Sequence, residues 1–193
     1  MLQIYVKEMD KVWFAATLKD KAIYATTFTF SEKEAMKHML ANIPYNETFE
    51  AIEKPSKEAE RLLETLKAIY DGGNADLNFK LDMSWLSGYS QKILNATFKI
   101  PVGYVTFYGL LAKTVGGSPR AVGRVMATNP FPPIVPCHRV VKTDFTLGGY
   151  GGGLKLKWEF LQRENRGYKQ PKTIRIDDRD LRLFPVSHVK KSY

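Results

Sequence analysis

The sequence predicts a two-domain protein: an α/β first half built on an antiparallel sheet with helices, and a mainly α second half with a helix-turn-helix. Three observations carry that prediction. The chain opens with three runs rich in β-branched and aromatic residues, its charge balance reverses near residue 85, and two short helical segments further on are joined by Gly116-Gly117-Ser118. The expected organisation is a first domain over residues 1–85, a second over 86–169 and a basic extension over 170–193.

Residues 2–7, 12–19 and 21–30 read as a β-meander, because the short charged breaks Met9-Asp10-Lys11 and Lys19-Asp20-Lys21 suit tight antiparallel connections. A helix follows. Ser31 with Glu34 three residues on forms a capping box, and Ala35, Met36, Met39 and Leu40 recur at helical spacing. Residues 42–55 read as a connection, residues 56–70 as a second helix stopped by Gly72-Gly73, and residues 77–81 as a short extended piece.

In the second half, residues 89–98 form a helix candidate ended by Ile100-Pro101, since the residue before proline is pushed out of the α region. Thr106 is the expected cap of the next helix, through Val115. Ser118 as N-cap with Pro119 at the first helical position is a strong start signal for another, which carries Arg120 and Arg124. Two short helices joined in this way match a helix-turn-helix, a spacing that plain α-bundles share.

Length and composition bound the function. A chain of 193 residues with 44% apolar and 25% charged residues has enough material for ordinary cores and is not disordered. No run of about 18 apolar residues suggests a membrane span, and the N-terminal segment lacks the apolar stretch of a signal peptide, so the expectation is a cytoplasmic protein with no membrane partner. Residues 1–85 carry 11 basic against 14 acidic side chains, whereas residues 86–193 carry 18 against 6. That asymmetry fits either a docking face for a polyanion or a solvated basic surface.

One cysteine cannot form an internal disulfide, and three scattered histidines do not suggest a metal cluster. Cys137 follows Asn129-Pro-Phe-Pro-Pro-Ile-Val-Pro136, where four prolines exclude regular helix and predict a rigid, nearly extended approach. Read alone, Cys137 is either core filler or a thiol activated by the adjacent His138. Glu164 is either a solvated helix residue or a carboxylate partner, and Asn129 either a simple turn residue or a bridge. Leu147-Gly-Gly-Tyr-Gly-Gly-Gly-Leu-Lys-Leu-Lys157 is not a nucleotide-binding loop, because no Lys-Ser/Thr follows the last glycine.

Pro136-Cys137-His138-Arg139-Val140, preceded by Asn129-Pro130 and Arg120-Ala-Val-Gly123, resembles the O6-alkylguanine-DNA alkyltransferase family over about residues 87–166. The resemblance implies a ribonuclease-H-like first domain and cofactor-free, stoichiometric repair of alkylated guanine, with alkylated thymine a further possible substrate. It implies that Cys137 accepts the alkyl group and that His138 withdraws the thiol proton through a water. Glu164 would orient His138, and Asn129 would bridge the helix-turn-helix to the acceptor segment. Tyr108 would protonate the departing guanine and meet the target's phosphate, Arg120 would enter the duplex where the nucleotide is flipped out, and Ser118 and Arg124 would touch DNA.

Tyr150, Gly151, Gly152 and Val140 would form the pocket, although many relatives have Ser rather than the Gly found at 151. Lys157 matches a family lysine whose role the sequence does not reveal. The expected partner is double-stranded DNA met through the minor groove by a monomer, in the cytoplasm at the nucleoid. The zinc held by some relatives' N-terminal domains is not expected. The alternative is a helix-turn-helix sensor signalled by alkylation of Cys137.

Overall fold

Three strands begin the chain: β1 Leu2–Met9, β2 Val12–Lys19 and β3 Ala22–Thr29. They pair antiparallel in sequence order. Asp10, Lys11, Asp20 and Lys21 all have positive φ, between 49° and 65°, which gives each two-residue turn the twist that hairpins favour. Helix α1, Glu32–Ala41, starts where the Ser31 hydroxyl accepts from the Glu34 amide at 3.3 Å. Ala35 and Met39 of α1 join Leu2, Ile4, Ala15, Tyr24 and Ala25 in one buried cluster, so the alternation of the strands and the helical period of α1 converge on a single core.

The connection expected over residues 42–55 contains a strand, β4 Phe49–Ala51, that pairs parallel with β1 and completes the order β3-β2-β1-β4. Three exposed residues carry no alternating pattern, so only the ladder to β1 makes this a strand. Helix α2, Lys57–Tyr70, follows Ser56, whose hydroxyl accepts from the Ala59 amide at 3.2 Å.

The computed structural model describes residues 1–74 and 79–192; residues 77 and 78 of the piece 77–81, expected to be extended, lie outside the described part. Within it, Leu81 bridges Ile23 in parallel. Two compact units emerge. The first holds Met1–Tyr70, Asn74–Trp85 and Pro130–Ile134, and the second Asp71–Gly73, Leu86–Asn129 and Val135–Tyr193.

The second unit begins with α3, Gly88–Phe98, capped by Ser87. Thr106 does not cap a helix. It lies inside strand β5, Tyr104–Phe107, where its hydroxyl donates to the Arg182 carbonyl at 2.9 Å, and α4, Tyr108–Val115, starts after Phe107 without a side-chain cap. Long-range pairing of a β-branched and aromatic run has overridden the local capping signal. Gly116 and Gly117, at φ 103° and 96°, turn the chain into α5, Pro119–Ala127, whose Ser118 hydroxyl accepts from the Ala121 amide at 3.2 Å. The apolar face of α5 buries Val122, Val125 and Met126, leaving Arg120 and Arg124 exposed.

The proline-rich approach to Cys137 is not extended: residues 132–134 turn. In the first unit the Thr26 amide donates to the Pro130 carbonyl at 2.8 Å and its hydroxyl to the Pro132 carbonyl at 2.9 Å, so the prolines fix a bend rather than a straight delivery. Cys137–Arg139 then forms one 3-10 turn, followed by β6, Val140–Val141. Helix α6, Leu154–Arg163, ends at Glu164.

Residues 172–185 form a hairpin, β7 Lys172–Ile176 and β8 Arg179–Pro185, and the second sheet has the order β6-β5-β8-β7. Val186 and Val189 pack with Val105, Phe107, Val141, Leu147 and Leu161. Part of the basic extension, rich in aliphatic residues, thus packs into the second unit's core. No helix among the described residues is long and apolar enough to cross a membrane.

Candidate functional site

Strands β5 and β6 run parallel for two residue pairs, Thr106 with Val140 and Phe107 with Val141. This short ladder sets the chemistry in place. Tyr108 leaves the end of β5, and Cys137, His138 and Arg139 lead into β6, so the pairing puts the phenol and the thiol on the wall of one cavity.

That cavity measures about 600 Å³. It is lined by Cys137 and Tyr108, by Pro119, Gly123 and Met126 of α5, and by Lys142, Thr143 and the loop from Gly148 to Gly151. Tyr150 and Gly151 stand at this wall. Val140 does not line it; the residue is fully buried and its carbonyl accepts from Lys157 Nζ at 2.7 Å. Gly152 is not a lining residue either, and a Cβ there would meet the Leu156 side chain at 2.7 Å. Gly148 has φ 69°, and a Cβ added to it would lie 3.0 Å from the Tyr108 ring, so a glycine lets the loop close on the tyrosine.

Behind Cys137 lies a buried charge cluster. His138 Nε2 meets Glu164 Oε1 at 2.9 Å, and both side chains are fully buried. Arg139 donates to the same carboxylate twice, Nε to Oε2 at 2.9 Å and Nη2 to Oε1 at 2.7 Å, and its Nη1 donates to the Ile100 carbonyl at 2.5 Å. Burial alone would raise the Glu164 carboxyl, but the hydrogen bonds from His138 and Arg139, with the Arg139 guanidinium charge, hold it at about 2.

An ionised carboxylate can only accept, so it selects the His138 tautomer with the proton on Nε2. Nδ1, buried and without a hydrogen-bond partner among the described residues, is then the basic nitrogen. Burial, helped by the charges of Arg139 and Lys157, lowers the imidazole pKa against the pull of Glu164, leaving a neutral ring at pH 7. The Phe160 ring stacks on it with centroids 4.6 Å apart.

Burial pushes the Cys137 thiol up, opposed by a hydrogen bond from the Asn129 side chain and by the charge of Lys157. The group rests as a thiol and needs a base. The Asn129 amide also donates to the Val135 carbonyl at 2.9 Å, tying the end of α5 to the residue two before the cysteine. Tyr108, raised to about 12 by burial and by the neighbouring Cys137, stays a proton donor.

Lys157 is fully buried and pulled down by burial to about 8. Its Nζ donates to Val140 and, at 3.3 Å, to Gly149, joining the acceptor turn to the pocket loop. The structure gathers Cys137, His138, Glu164, Asn129, Tyr108 and Tyr150 in one unit, and leaves Ser118, Arg120 and Arg124 on the exposed face of α5.

Sequence reasoning missed Arg139 and gave Lys157 no role. Lys157, Phe160, Leu161 and Glu164 follow the i, i+3, i+4, i+7 spacing of one helix face, a signal that could have placed both charges in the interior. Arg139 has a weaker one, a cation between Cys-His and Val-Val in an otherwise apolar stretch.

A buried cysteine on a single turn, backed by an ion-paired imidazole and facing a cavity beside a short helix pair, defines a protein with a nucleophilic cysteine site. Residues 88–166 match the family model described as 6-O-methylguanine DNA methyltransferase, DNA binding domain. A methylated-DNA–protein-cysteine methyltransferase of Methanocaldococcus jannaschii is 35% identical over 121 residues, covering 60% of this chain and 70% of the relative. The chain belongs to this methyltransferase family.

A relative of the same name from Methanothermobacter thermautotrophicus is 36% identical over 111 residues, 57% of this chain, and the match spans 63% of that relative's length, less than two thirds. The crystal structure of an O6-methylguanine-DNA methyltransferase from Pyrococcus kodakaraensis superposes with a TM-score of 0.65 at 28% identity, covering 85% of this chain and 99% of that one. An N-terminal α/β part and a C-terminal helical part are shared with it.

Proposed function

We propose that the protein reverses O6-alkylation of guanine in duplex DNA by moving the alkyl group irreversibly to Cys137. The observation that carries this reading is the buried thiol at a cavity wall with a neutral, carboxylate-held imidazole next to it in the chain. His138 Nδ1 takes the thiol proton through a water, Sγ bonds to the alkyl carbon as that carbon's bond to O6 breaks, and Tyr108 gives a proton to the departing guanine. The imidazolium is stabilised by Glu164, which stays ionised, and Arg139 holds that carboxylate in place.

A thioether is a poor leaving group, so the reaction stops after one transfer. Tyr150 and Gly151 would flank the guanine, with Gly152 and Val140 supporting the pocket. Asn129 would hold the thiol segment to α5.

The pair α4 and α5 with its Gly116-Gly117 turn acts as a helix-turn-helix that meets the minor groove, consistent with a protein that must ignore base sequence. Arg120, at the start of α5, enters the stack vacated by the flipped nucleotide, while Ser118 and Arg124 contact the backbone. The basic excess of residues 86–193 supports this docking face. The first unit reads as ribonuclease-H-like, with three antiparallel strands, a helix and then a strand parallel to the first. A monomer working at the nucleoid is sufficient. The methyltransferase names of the relatives favour repair over the sensor reading.

Mixing the protein with a duplex that contains one O6-methylguanine and weighing the Cys137 peptide tests this. The expected product is a single added methyl group at one equivalent. An unmodified thiol with the lesion intact would overturn the repair reading.

A further inference from the structure

The ladder that places Tyr108 beside Cys137 is only two residue pairs of parallel strand, too little to hold itself together. Its support comes from residues 170–192, which lie beyond the part of the chain matched by the family model. Strand β8 pairs with the free side of β5 through Tyr104 with Pro185 and Val105 with Phe184, and the Val186 amide donates to the Gly103 carbonyl at 2.9 Å. The hairpin partner β7 adds five register pairs to β8, and Leu181 and Leu183 are fully buried.

The same segment then reaches the residues that lead into the glycine loop at the cavity wall. The Lys190 amide donates to the Phe145 carbonyl at 2.9 Å, Thr146 bridges Lys190 in parallel, and the buried Leu147 amide donates to Ser192 Oγ at 3.3 Å. Phe145, wedged edge-on between Phe107 and Phe184 with centroids 4.9 and 5.4 Å away, joins the two attachments. Residue 107 precedes Tyr108, and residue 147 precedes the glycine loop that carries Tyr150.

We propose that residues 170–192 are a positioning brace for alkyl transfer, holding Tyr108 and the Tyr150 loop at their working separation from Cys137. This rests on the repair reading above. Small misplacements at a reacting centre cost rate out of proportion to their size, so the brace acts on the transfer step as well as on the fold.

The test uses single-turnover transfer from free O6-benzylguanine by the full chain, measured over a range of base concentrations well below the melting temperature. Ser192→Ala removes the acceptor of the Leu147 amide. Lys190→Pro removes the donor to Phe145, and Val189, at φ −70° and ψ 136°, already has the backbone that a following proline requires. Both changed residues are exposed.

The brace predicts that Lys190→Pro lowers the saturating rate by about tenfold and raises the half-saturating concentration. Ser192→Ala does the same to a smaller degree, Ser192→Thr recovers the wild-type values, and Cys137 alkylation by iodoacetamide is unchanged in all. Variants that melt earlier yet transfer at the wild-type rate and half-saturation would show a merely structural segment and overturn the brace. A wild type that takes no benzyl group would instead overturn the repair reading itself.

Discussion

The Arg139 guanidinium grips the Glu164 carboxylate through two hydrogen bonds, of 2.9 and 2.7 Å, while His138 shares Oε1. The acceptor turn is thereby bolted to the end of α6, and the imidazole is oriented by a carboxylate that is itself immobilised. Desolvating three ionisable groups is tolerable because the carboxylate is satisfied from two sides, and removing its charge leaves Arg139 buried and unmatched.

Glu164→Gln is therefore expected to destabilise the fold by about 3 kcal/mol in denaturant unfolding. The same change releases the Nε2 tautomer and slows alkyl transfer by about 100-fold. Transfer at the wild-type rate would remove Glu164 from the mechanism, and a stability loss below about 1 kcal/mol would show that Arg139 finds another partner.

The rate should fall on the acid side with an inflection below 6.5, the ordinary imidazole value, because burial lowers the His138 pKa and protonation of Nδ1 abolishes the base. Stability should fall too. A group whose pKa is lowered in the fold stabilises it fully only above its unfolded value, so His138 loses its contribution as pH drops below 6.5, and Glu164 as pH drops from 4.5 through about 2. Single-turnover rates and melting temperatures across this range check both limbs. An acid inflection above 7 would contradict a neutral resting imidazole.

Arg120 is exposed at the start of α5 and is not a cavity-lining residue. Arg120→Ala should leave transfer from free O6-benzylguanine within about twofold of wild type and slow repair of duplex DNA by about tenfold or more, because only the duplex requires a flipped nucleotide to be replaced in the stack. Equal losses on the two substrates would remove the finger role.

Local signals were most legible where contacts are local. Ser31 and Ser118 each cap the helix that their position announces, and the Asp-Lys turns close the two hairpins. They failed where a distant strand competes: Thr106 has a capping residue's chemistry, yet the Arg182 carbonyl, 76 positions away, takes its hydroxyl. Strand β4 carried no pattern because its three residues are exposed, and the prolines before Cys137 declared rigidity without its direction.

What the sequence by itself determined is the set of chemical parts: one thiol beside an imidazole, an asparagine and a tyrosine at readable motif positions, and a basic second half. Tertiary structure alone decided their states. Whether Glu164 is ionised, which His138 nitrogen is basic and why Lys157 sits near 8 all depend on burial and on partners 8 to 26 residues away. Electrostatic free energies are set by the dielectric and by separation in space, neither of which is written in chain order.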